Sequence, residues 1–403
     1  MKKFLVALIL TICSIVSVSA WDDAGHKLTA YIAWQRMTPE AREAAVKLLL
    51  AAPEDSDLSV FYLQDSRSDA AKKLELFMIA ATWADIVRDR KFDVRYKKYH
   101  KSNWHYSDYF WKQNGSKAEM IEHSEEGGMA IEKLAEFDKV LRDSAASDAD
   151  KAIALAWILH LGGDIHQPLH TSGRITDVEP KGDQGGNLFL LTAQGIKPSE
   201  NLHWFWDSIV GRNIPRTNDA CDSDYLFPIA SAMLKKYPFE KFQNSLALGN
   251  FEEWKKESFA YNPTDVFSAD LKRNEMPSEK YKKHALEVSE KQLTMAGYRL
   301  GEMLNDIFGK KSASAKVDES KLPCKIIRVV EYPITMTRPK KPKYEISLLN
   351  FCHGPNDIQA RPMYPMMVNG EPIMRAYSIE RTFKTEKEAR DFAAKNGITD
   401  VSF

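Results

Sequence analysis

The 403-residue sequence has few cysteines and no excess of either charge. Its 56 lysine and arginine residues balance 56 aspartate and glutamate residues, so bulk electrostatics do not predict a protein that coats nucleic acid, although bound metal ions would supply positive charge locally. The four cysteines are too far apart for a zinc-finger pattern. Any metal site must therefore depend on histidine and carboxylate side chains. After the first segment no run of about 18 apolar residues is present, so no membrane-spanning segment is expected.

The start of the chain has the pattern of a secretion signal. Two lysines come first, an apolar run follows from Phe4, and the small residues Val18 and Ala20 occupy the −3 and −1 positions of a cleavage site. The apolar run is shorter than the ~20 residues of a membrane-spanning helix, although an uncleaved anchor is the alternative. We therefore expect residues 1–20 to be a signal peptide and the chain to be secreted or periplasmic, with Trp21 as its first residue after processing.

The rest of the chain divides by composition into a helical part and a small C-terminal part. Apolar residues recur at three- and four-residue spacing through residues 21–308, which predicts a mainly α domain. The predicted helical segments are 26–51, 72–90, 118–143, 148–164, 226–236 and 281–308. Residues 309–322 are charged and small, as in a linker. Residues 323–403 contain β-rich runs, so we expect a small α+β accessory module of unknown role.

Within this module two runs, KIIRVVEY and YEISLLNF, predict strands, and KTEKEARDFAAKNGI predicts a helix. The basic run RPKKPK between the two strands is either a patch that contacts nucleic acid or a solvated turn. In an exported protein, Cys324 and Cys352 are the natural pair for one disulfide, which leaves Cys221 unpaired.

The run HLGGDIHQPLH contains the densest group of potential metal ligands. His160 and Asp164 are four residues apart, so on a helix they project from one face. Pro168 should end the helix and turn His170 back toward that face. His166 should face another way, as a surface or core histidine, and a position that supports the metal ligands from behind is the alternative. Imidazole and carboxylate groups suit Zn²⁺, and two such ions about 3.5–4 Å apart can clamp a phosphodiester.

Other parts of the helical domain supply similar side chains. The run HWFWD repeats the four-residue spacing with His203 and Asp207, WHYSD supplies His105, and TWADIVRDR supplies Asp85. A single His-x-x-x-Asp pair on a helix is more often a salt bridge or a cap than a metal site. The prediction of metal binding therefore depends on the whole set, which occurs in one helical and exported chain.

Signal cleavage before Trp21 would create a further set of ligands. The new α-amine and the Trp21 carbonyl oxygen form a five-membered chelate ring, and His26 follows five residues later. These three groups could bind one metal ion, so the site would be complete only after processing. The spacing of Trp21 and His26 would mean little without the other motifs.

Together these motifs resemble those of the zinc-dependent single-strand-specific nucleases that fungi, plants and bacteria secrete. The resemblance covers residues 21–308 and depends on WDDAGH, TWADIVR, HYSD, HLGGDIHQPLH, GGN and HWFWD. These nucleases share a fold with zinc-dependent phospholipase C. The resemblance therefore implies a mainly α, phospholipase C/nuclease-like helical bundle with a trinuclear zinc cleft. Asp22 stands where family members often have glycine, but this difference removes no ligand.

The resemblance implies three zinc ions, bound by imidazole, carboxylate and N-terminal groups. One zinc would be held by Asp85, His105, His160 and Asp164. A second would be held by the Trp21 amine and carbonyl, His26 and the other oxygen of Asp164. The third would be held by His170, His203 and Asp207.

A hydroxide that bridges the first two ions is the expected nucleophile, because zinc lowers the pKa of bound water from 15.7 to about 7. The catalytic residues are then Asp85, Asp164 and Arg88. The resembled family has an arginine at this last place that meets the phosphate, and its planar fork suits phosphoryl charge. The implied substrate-binding residues are Tyr106 against a base, Asp108 at the base edge and Asn187 near the phosphate. The alternatives are a solvated Arg88 and a core Tyr106.

Stacking on Tyr106 needs a base that is separated from its neighbours, which costs a duplex a few kcal/mol. We therefore expect a monomeric enzyme that cleaves single-stranded RNA and DNA with little sequence preference. The resemblance adds 5′-phosphorylated products and some 3′-nucleotidase activity.

Two other functions compete with this interpretation. A phospholipase C-like zinc phosphodiesterase would use the same metals, but the phospholipase relatives have glutamate where this chain has Asp207, and Tyr106 with Asp108 suits a base better than a lipid headgroup. A protein that binds metal without turnover is the second alternative, and Arg88 argues against it.

Overall fold

The computed structural model describes residues 21–63, 67–123, 127–192, 200–214 and 222–309, strand residues between 325 and 383, and position 391. The predicted signal peptide, most of the linker, the cysteines and nearly all of the predicted C-terminal helix lie outside the described residues. The signal, the disulfide and that helix therefore stay predictions, as do the domain bounds.

The described part of the first 309 residues is mainly helical, which confirms the predicted fold class. The helices are α1 Asp23–Arg36, α2 Pro39–Leu50, α3 Asp69–Ala80, α4 Trp83–Ile86, α5 Asp93–Tyr99, α6 Ala130–Arg142, α7 Asp148–Asp164, α8 Leu202–Arg212, α9 Asp222–Lys236, α10 Phe251–Phe259 and α11 Glu279–Phe308. Among the described residues, no helix combines the length and the apolar character that a membrane span requires.

Segment 26–51 forms two helices where one was predicted. Thr38 is extended (φ −65°, ψ 157°), because Pro39 disfavours the helical conformation in the residue before it. The Thr38 hydroxyl then accepts a hydrogen bond from the Ala41 N–H (3.2 Å), and Pro39 occupies the first turn of the new helix. The same two residues therefore separate α1 from α2 and begin α2.

Two other predicted helices are also shorter in the structure. Segment 118–143 begins as a strand and becomes helical only at Ala130. Gly128, just before this helix, has φ +85°, a conformation that other residues rarely adopt, and it forms an antiparallel bridge with Ser107. Segment 72–90 leaves its first helix after Ala80 and continues as the short α4.

Helix α1 is buried around its whole circumference from Ala24 to Trp34, so it runs through the core and not across the surface. It packs along α11, where a Cβ on Gly297 would lie only 2.6 Å from the Ile32 Cβ. The missing side chain therefore allows the two backbones to approach closely. Helix α7 is likewise buried from Ala154 to Asp164 and packs against both α1 and α11.

A three-stranded sheet in the order β2-β1-β3 connects two segments that carry candidate metal ligands. Its strands are β1 Tyr109–Asn114, β2 Lys117–Met120 and β3 Ser172–Arg174. β1 and β2 are antiparallel, whereas β1 and β3 are parallel with Tyr109 opposite Ser172. The Ser107 N–H also donates to the His170 carbonyl oxygen (2.9 Å). This pairing brings the segment after His105 beside the segment after His170.

The C-terminal strands are β4 Lys325–Glu331, β5 Lys343–Ser347, β6 Ile358–Pro362, β7 Met367–Val368, β8 Glu371–Pro372 and β9 Tyr377–Phe383. Four of them pair as an antiparallel sheet in the order β5-β4-β9-β6. The run KIIRVVEY forms β4, and the first four residues of YEISLLNF lie in β5, whereas its last four lie outside the described residues. The sheet also contains β6 and β9, which the sequence analysis did not identify.

Candidate metal centre

The last turns of α7 place His160 and Asp164 on one face of the helix, with both side chains fully buried. The His160 Nδ1–H donates a hydrogen bond to the Ala81 carbonyl oxygen (2.8 Å), which fixes the ring and leaves Nε2 as the ligating atom. His160 Nε2 lies 3.2 Å from Asp164 Oδ2 and 2.9 Å from His105 Nδ1. These side chains form the first group of candidate ligands.

His26 of α1 and Asp85 of α4 extend this first group. His26 Nε2 lies 3.3 Å from Asp164 Oδ1, so the two oxygens of this carboxylate face different histidines. Asp85 Oδ1 lies 3.8 Å from His160 Nε2. His26, Asp85 and His160 also offer donor atoms within 4.8 Å of one another. The geometry is compatible with the predicted bridge of Asp164 between two ions.

Trp21 is fully buried next to these side chains. Its indole Nε1–H donates to the Gly163 carbonyl oxygen (3.0 Å), and the neighbouring Asp22 N–H donates to the Asp207 carbonyl oxygen (2.9 Å). A Cβ at position 163 would lie 2.9 Å from His26 Nδ1, so His26 fits only beside a glycine. The chain around Trp21 is therefore held against residues of two candidate ligand groups.

His170, His203 and Asp207 form a further group, and all three are buried. The His170 Nδ1–H donates to the His105 carbonyl oxygen (2.7 Å), and the His203 Nδ1–H donates to the Gly185 carbonyl oxygen (2.7 Å). Both Nε2 atoms therefore face Asp207, at 3.8 Å from Oδ1 for His170 and 3.3 Å from Oδ2 for His203.

The donor atoms of these groups fit a metal ion better than they satisfy one another. Among the described residues, His26 Nε2, Asp164 Oδ1, His170 Nε2 and Asp207 Oδ2 are buried without a hydrogen-bond partner, which costs free energy unless a ligand satisfies them. Donors that share one tetrahedral zinc at about 2.0–2.2 Å lie roughly 3.3–3.6 Å apart. The separations of 3.2 and 3.3 Å around Asp164 are close to this spacing.

The electrostatics of the groups also favour a cation. Burial lowers the pKa of His105 to about 3, so its ring is neutral and can donate a lone pair. Burial alone would raise the pKa of Asp164, but the neighbouring histidines hold it well below its usual value. Burial alone would lower the pKa of His170, but Asp207 and Asp164 raise it to about 9. Carboxylates that hold a proton on a buried imidazole would also hold a metal cation in its place.

A cleft with a volume of about 730 Å³ opens beside these groups. Arg88, Tyr106, Asp108 and His203 are among the residues that line it. Arg88 Nε lies 3.1 Å from Asp85 Oδ1, which places the guanidinium next to the candidate ligands. Tyr106 and Asp108 are half-buried in the cleft wall. The cleft therefore brings together a cation, an aromatic ring and a carboxyl group beside the candidate metal ligands.

Asn187 is not one of the described residues that line this cleft. Its Nδ2–H donates to the Gln184 carbonyl oxygen (2.9 Å), within the loop whose Gly185 carbonyl holds His203. Gly185 has φ +60°, and a Cβ there would lie 2.5 Å from the Leu169 carbonyl oxygen, so this turn requires glycine. The geometry gives Asn187 a supporting position in the loop, and its predicted contact with phosphate stays a prediction.

Comparison with known sequences identifies the kind of protein that carries this site. Residues 21–309 match the sequence profile of the S1/P1 Nuclease family. The chain belongs to this family. It is 25% identical over 328 residues to Endonuclease 1 of Arabidopsis thaliana, covering 78% of this chain and 96% of that protein. It is 23% identical over 314 residues to Nuclease P1 of Penicillium citrinum, covering 73% of this chain and all of that protein.

A crystal structure of Clostridium perfringens alpha-toxin overlaps this S1/P1 nuclease with a TM-score of 0.30 and 11% sequence identity, over 92% of this chain and 84% of the toxin. That overlap is too low to support any argument about fold or function. Family membership itself makes this chain a hydrolase of phosphodiester bonds, with nucleic acid as its substrate.

One residue of this nuclease that supports the site, Gln167, was not identified from the sequence. The Gln167 Nε2–H donates to Asp207 Oδ1 (2.6 Å) and so orients a candidate ligand. His166 is a core histidine, one of the positions that the sequence analysis left open. Its Nδ1–H donates to the Gly162 carbonyl oxygen (2.7 Å), and its Nε2 accepts from Arg299 Nη1 (2.8 Å). Gln167 lies within the HQP of the longest motif, but nothing in that spacing indicates a partner 40 residues later.

Proposed function

We propose that this S1/P1 nuclease is an exported zinc enzyme that cleaves single-stranded RNA and DNA internally, leaves 5′-phosphates, and also hydrolyses 3′-nucleotides. One observation carries this proposal: Tyr106 and Asp108 line the same cleft as Arg88 and His203, beside groups of buried histidines and aspartates. A base, a phosphate and metal ions would each find matching side chains in one place. The signal pattern of residues 1–20 supports export.

The zinc ligands that we propose combine imidazoles, carboxylates and a processed chain terminus. They are His26, Asp85, His105, His160, Asp164, His170, His203, Asp207, and the amine and carbonyl of Trp21. When bound, zinc supplies Lewis acidity and lowers the pKa of a coordinated water toward neutrality. The protein's own part is to fix each imidazole in one tautomer, which the carbonyl oxygens of Ala81, His105 and Gly185 do for His160, His170 and His203.

The cleft residues would hold the two parts of a nucleotide. The planar guanidinium of Arg88 matches phosphoryl oxygens, and Asp85 holds it near the metal ligands. Tyr106 offers a ring face to a base. Burial raises the pKa of Asp108 well above its usual value, so its carboxyl group can donate as well as accept a hydrogen bond at the base edge.

This arrangement supports a preference for single strands. A base must leave its stack before it can reach Tyr106, which costs a few kcal/mol in a duplex and little in a single strand. Sequence preference should be weak, because every base offers an aromatic face.

The substitution Tyr106→Ala tests whether Tyr106 stacks on a base of the substrate. We expect kcat/KM for single-stranded DNA to fall by about 5- to 150-fold, the range that corresponds to one lost base stack of ~1–3 kcal/mol. Zinc content should not change, and Tyr106→Phe, which keeps the ring, should stay near the wild type. Undiminished kcat/KM in Tyr106→Ala, or a lost zinc ion, would contradict the stacking role.

A phospholipase C-like phosphodiesterase would need the same metals, so the substrate decides between the two functions. We expect zinc-dependent hydrolysis of single-stranded DNA and none of phosphatidylcholine vesicles. Comparable hydrolysis of both substrates would favour the phospholipase alternative. Bound zinc without hydrolysis of any phosphodiester would show a metal-binding protein without turnover.

A further inference from the structure

A second cavity, with a volume of about 680 Å³, also reaches the candidate metal centre. Asp85 lines this second cavity, whereas Arg88, about one helical turn later, lines the first cleft. At the start of α8, His203 lines the first cleft and Trp204 lines the second cavity. In both motifs, residues that are close in sequence therefore line different cavities. Each cavity also has a candidate metal ligand in its wall, His203 in the first and Asp85 in the second.

Trp204 is an aromatic residue of this cavity that the site described above does not use. Its side chain is 43% exposed, although the next two residues, Phe205 and Trp206, are buried. Its backbone is fixed, because its N–H donates to Asn201 Oδ1 (2.8 Å) and its carbonyl oxygen accepts from Ser208 Oγ (2.6 Å). An exposed indole on a fixed helical turn, at the wall of a cavity, is suited to stack on a nucleic-acid base.

The charges of the second cavity favour a base over a phosphate. Asp22, Asp23 and Asp85 line it, and the cation among its described lining residues is Arg212. The Arg212 guanidinium is already paired with Glu200 (2.5 Å). Asp23 and Asp85 are paired as well, with Lys27 (2.6 Å) and Arg88 (3.1 Å). The described lining therefore offers a phosphate group no cation without a carboxylate partner, whereas a base is uncharged and can donate hydrogen bonds from its N–H groups to carboxylate oxygens.

We propose that Trp204 stacks on the base of the nucleoside that follows the scissile phosphate. The scissile phosphate would then lie over the candidate metal centre, with the base before it in the Tyr106 cleft and the base after it against Trp204 in the second cavity. This inference rests on the proposed function, because 5′-phosphate products require cleavage of the bond between phosphorus and the 3′ oxygen. Tyr106 would hold the nucleoside that keeps the 3′ oxygen, and Trp204 would position the nucleoside that keeps the phosphate.

The test compares two small substrates in the zinc-loaded, processed enzyme. One is the dinucleoside monophosphate ApA, and the other is its analogue with an abasic ribose after the phosphate. In the wild type we expect kcat/KM for ApA to exceed that for the abasic analogue by at least about fivefold, the lower end for one stacked base. In Trp204→Ala and in Trp204→Leu, which keeps apolar bulk without the ring, the ratio should fall to about one. Trp204→Phe, which keeps an aromatic ring, should keep most of the wild-type ratio.

Phe92→Ala is the matched control, because Phe92 is 51% exposed and lines neither of the two cavities. This variant should keep the wild-type ratio, and all variants should keep the wild-type zinc content. A wild-type ratio of one, or an unchanged ratio in both Trp204→Ala and Trp204→Leu, would overturn the role of Trp204 while leaving the nuclease proposal intact. If the wild type hydrolyses neither dinucleotide nor single-stranded polynucleotide, the proposed function itself fails.

Discussion

His26 Nε2 lies 3.3 Å from Oδ1 of Asp164, and this contact occupies only one oxygen of the carboxylate. The other oxygen, Oδ2, lies 3.2 Å from both His105 Nδ1 and His160 Nε2. One buried side chain thus faces histidines that come from α1, from the loop before β1 and from α7. A change at Asp164 should therefore affect two metal positions. A change at any one of the histidines should affect mainly the single metal position that this histidine serves.

Asp164→Asn keeps the shape of the side chain but removes its charge. We expect elemental analysis to show the loss of two of three zinc ions, because both positions lose an anionic ligand. Activity on single-stranded DNA should fall by at least about 100-fold, which is the upper end of the effect of changing a partner that merely supports a metal ligand. Asp148→Asn is the control, because Asp148 begins the same helix and pairs with Lys47 at the surface (3.4 Å). Three zinc ions and near-normal turnover in Asp164→Asn would refute the bridging role.

An extra residue before Trp21 tests whether the processed terminus binds metal. The contacts that hold this segment include the Trp21 indole to Gly163 and the Asp22 N–H to Asp207, and neither of these involves the terminal amine. The extended protein should therefore fold but bind one zinc ion fewer than the protein that begins at Trp21. The measurement is zinc per chain, with the terminus confirmed by N-terminal sequencing. A full zinc complement and full activity in the extended protein would mean that the amine is not a ligand.

The helical part of the site could be predicted because its spacing is local. His160 and Asp164 share a face through the helical repeat, and Pro168 ends α7 and returns the chain so that His170 lies buried near His105. These relationships follow from the geometry of a few consecutive residues. The family motifs then identified distant side chains, such as Asp85 of α4, that the fold brings beside them.

The supporting contacts could not be predicted in the same way. The Ala81 and Gly185 carbonyl oxygens that fix His160 and His203 belong to the backbone, which carries no signal of its own in the sequence. The segment before α6 was also misjudged, because apolar spacing suggested a helix where the chain forms β2 and where Gly128, at φ +85°, bridges to Ser107. Asn187 shows the same limit, since its motif gave a residue type but not the direction of its side chain.

Two neighbouring glycines in α7 should have separable roles. A Cβ at position 163 would lie 2.9 Å from His26 Nδ1, whereas a Cβ at position 162 would lie 2.6 Å from Leu300 Cδ2. Gly163→Ala should therefore displace a ligand and lower zinc content. Gly162→Ala should strain the packing on α11 and lower the free energy of unfolding by about 1–3 kcal/mol with zinc content unchanged. Both changes raise helix propensity by ~1 kcal/mol, so a weaker helix cannot explain either loss. Gly163→Ala with a full zinc complement would contradict this assignment.

Asp183 should make the stability of the fold depend on pH. It is fully buried, and burial raises the pKa of its carboxyl group to about 6, although Arg174 at 3.4 Å acts in the opposite direction. In the unfolded chain an aspartate titrates near pH ~3.9. Between about pH 4 and pH 6 the folded protein therefore binds more protons at this position than the unfolded chain does, so raising the pH through this window lowers the free energy of unfolding.

In Asp183→Asn the side chain cannot titrate, so the variant should not show this decrease in the free energy of unfolding. Two pKa units correspond to about 3 kcal/mol. The difference in unfolding free energy between Asp183→Asn and the wild type should therefore shift in favour of the variant by up to ~3 kcal/mol between pH 4 and pH 7. Urea unfolding at saturating zinc measures it, and the subtraction cancels the groups that titrate equally in both proteins. Asp177→Asn, an exposed position in the same segment, is the control and should show a constant difference. A constant difference for Asp183→Asn as well would mean that the buried carboxyl group is charged throughout this pH range.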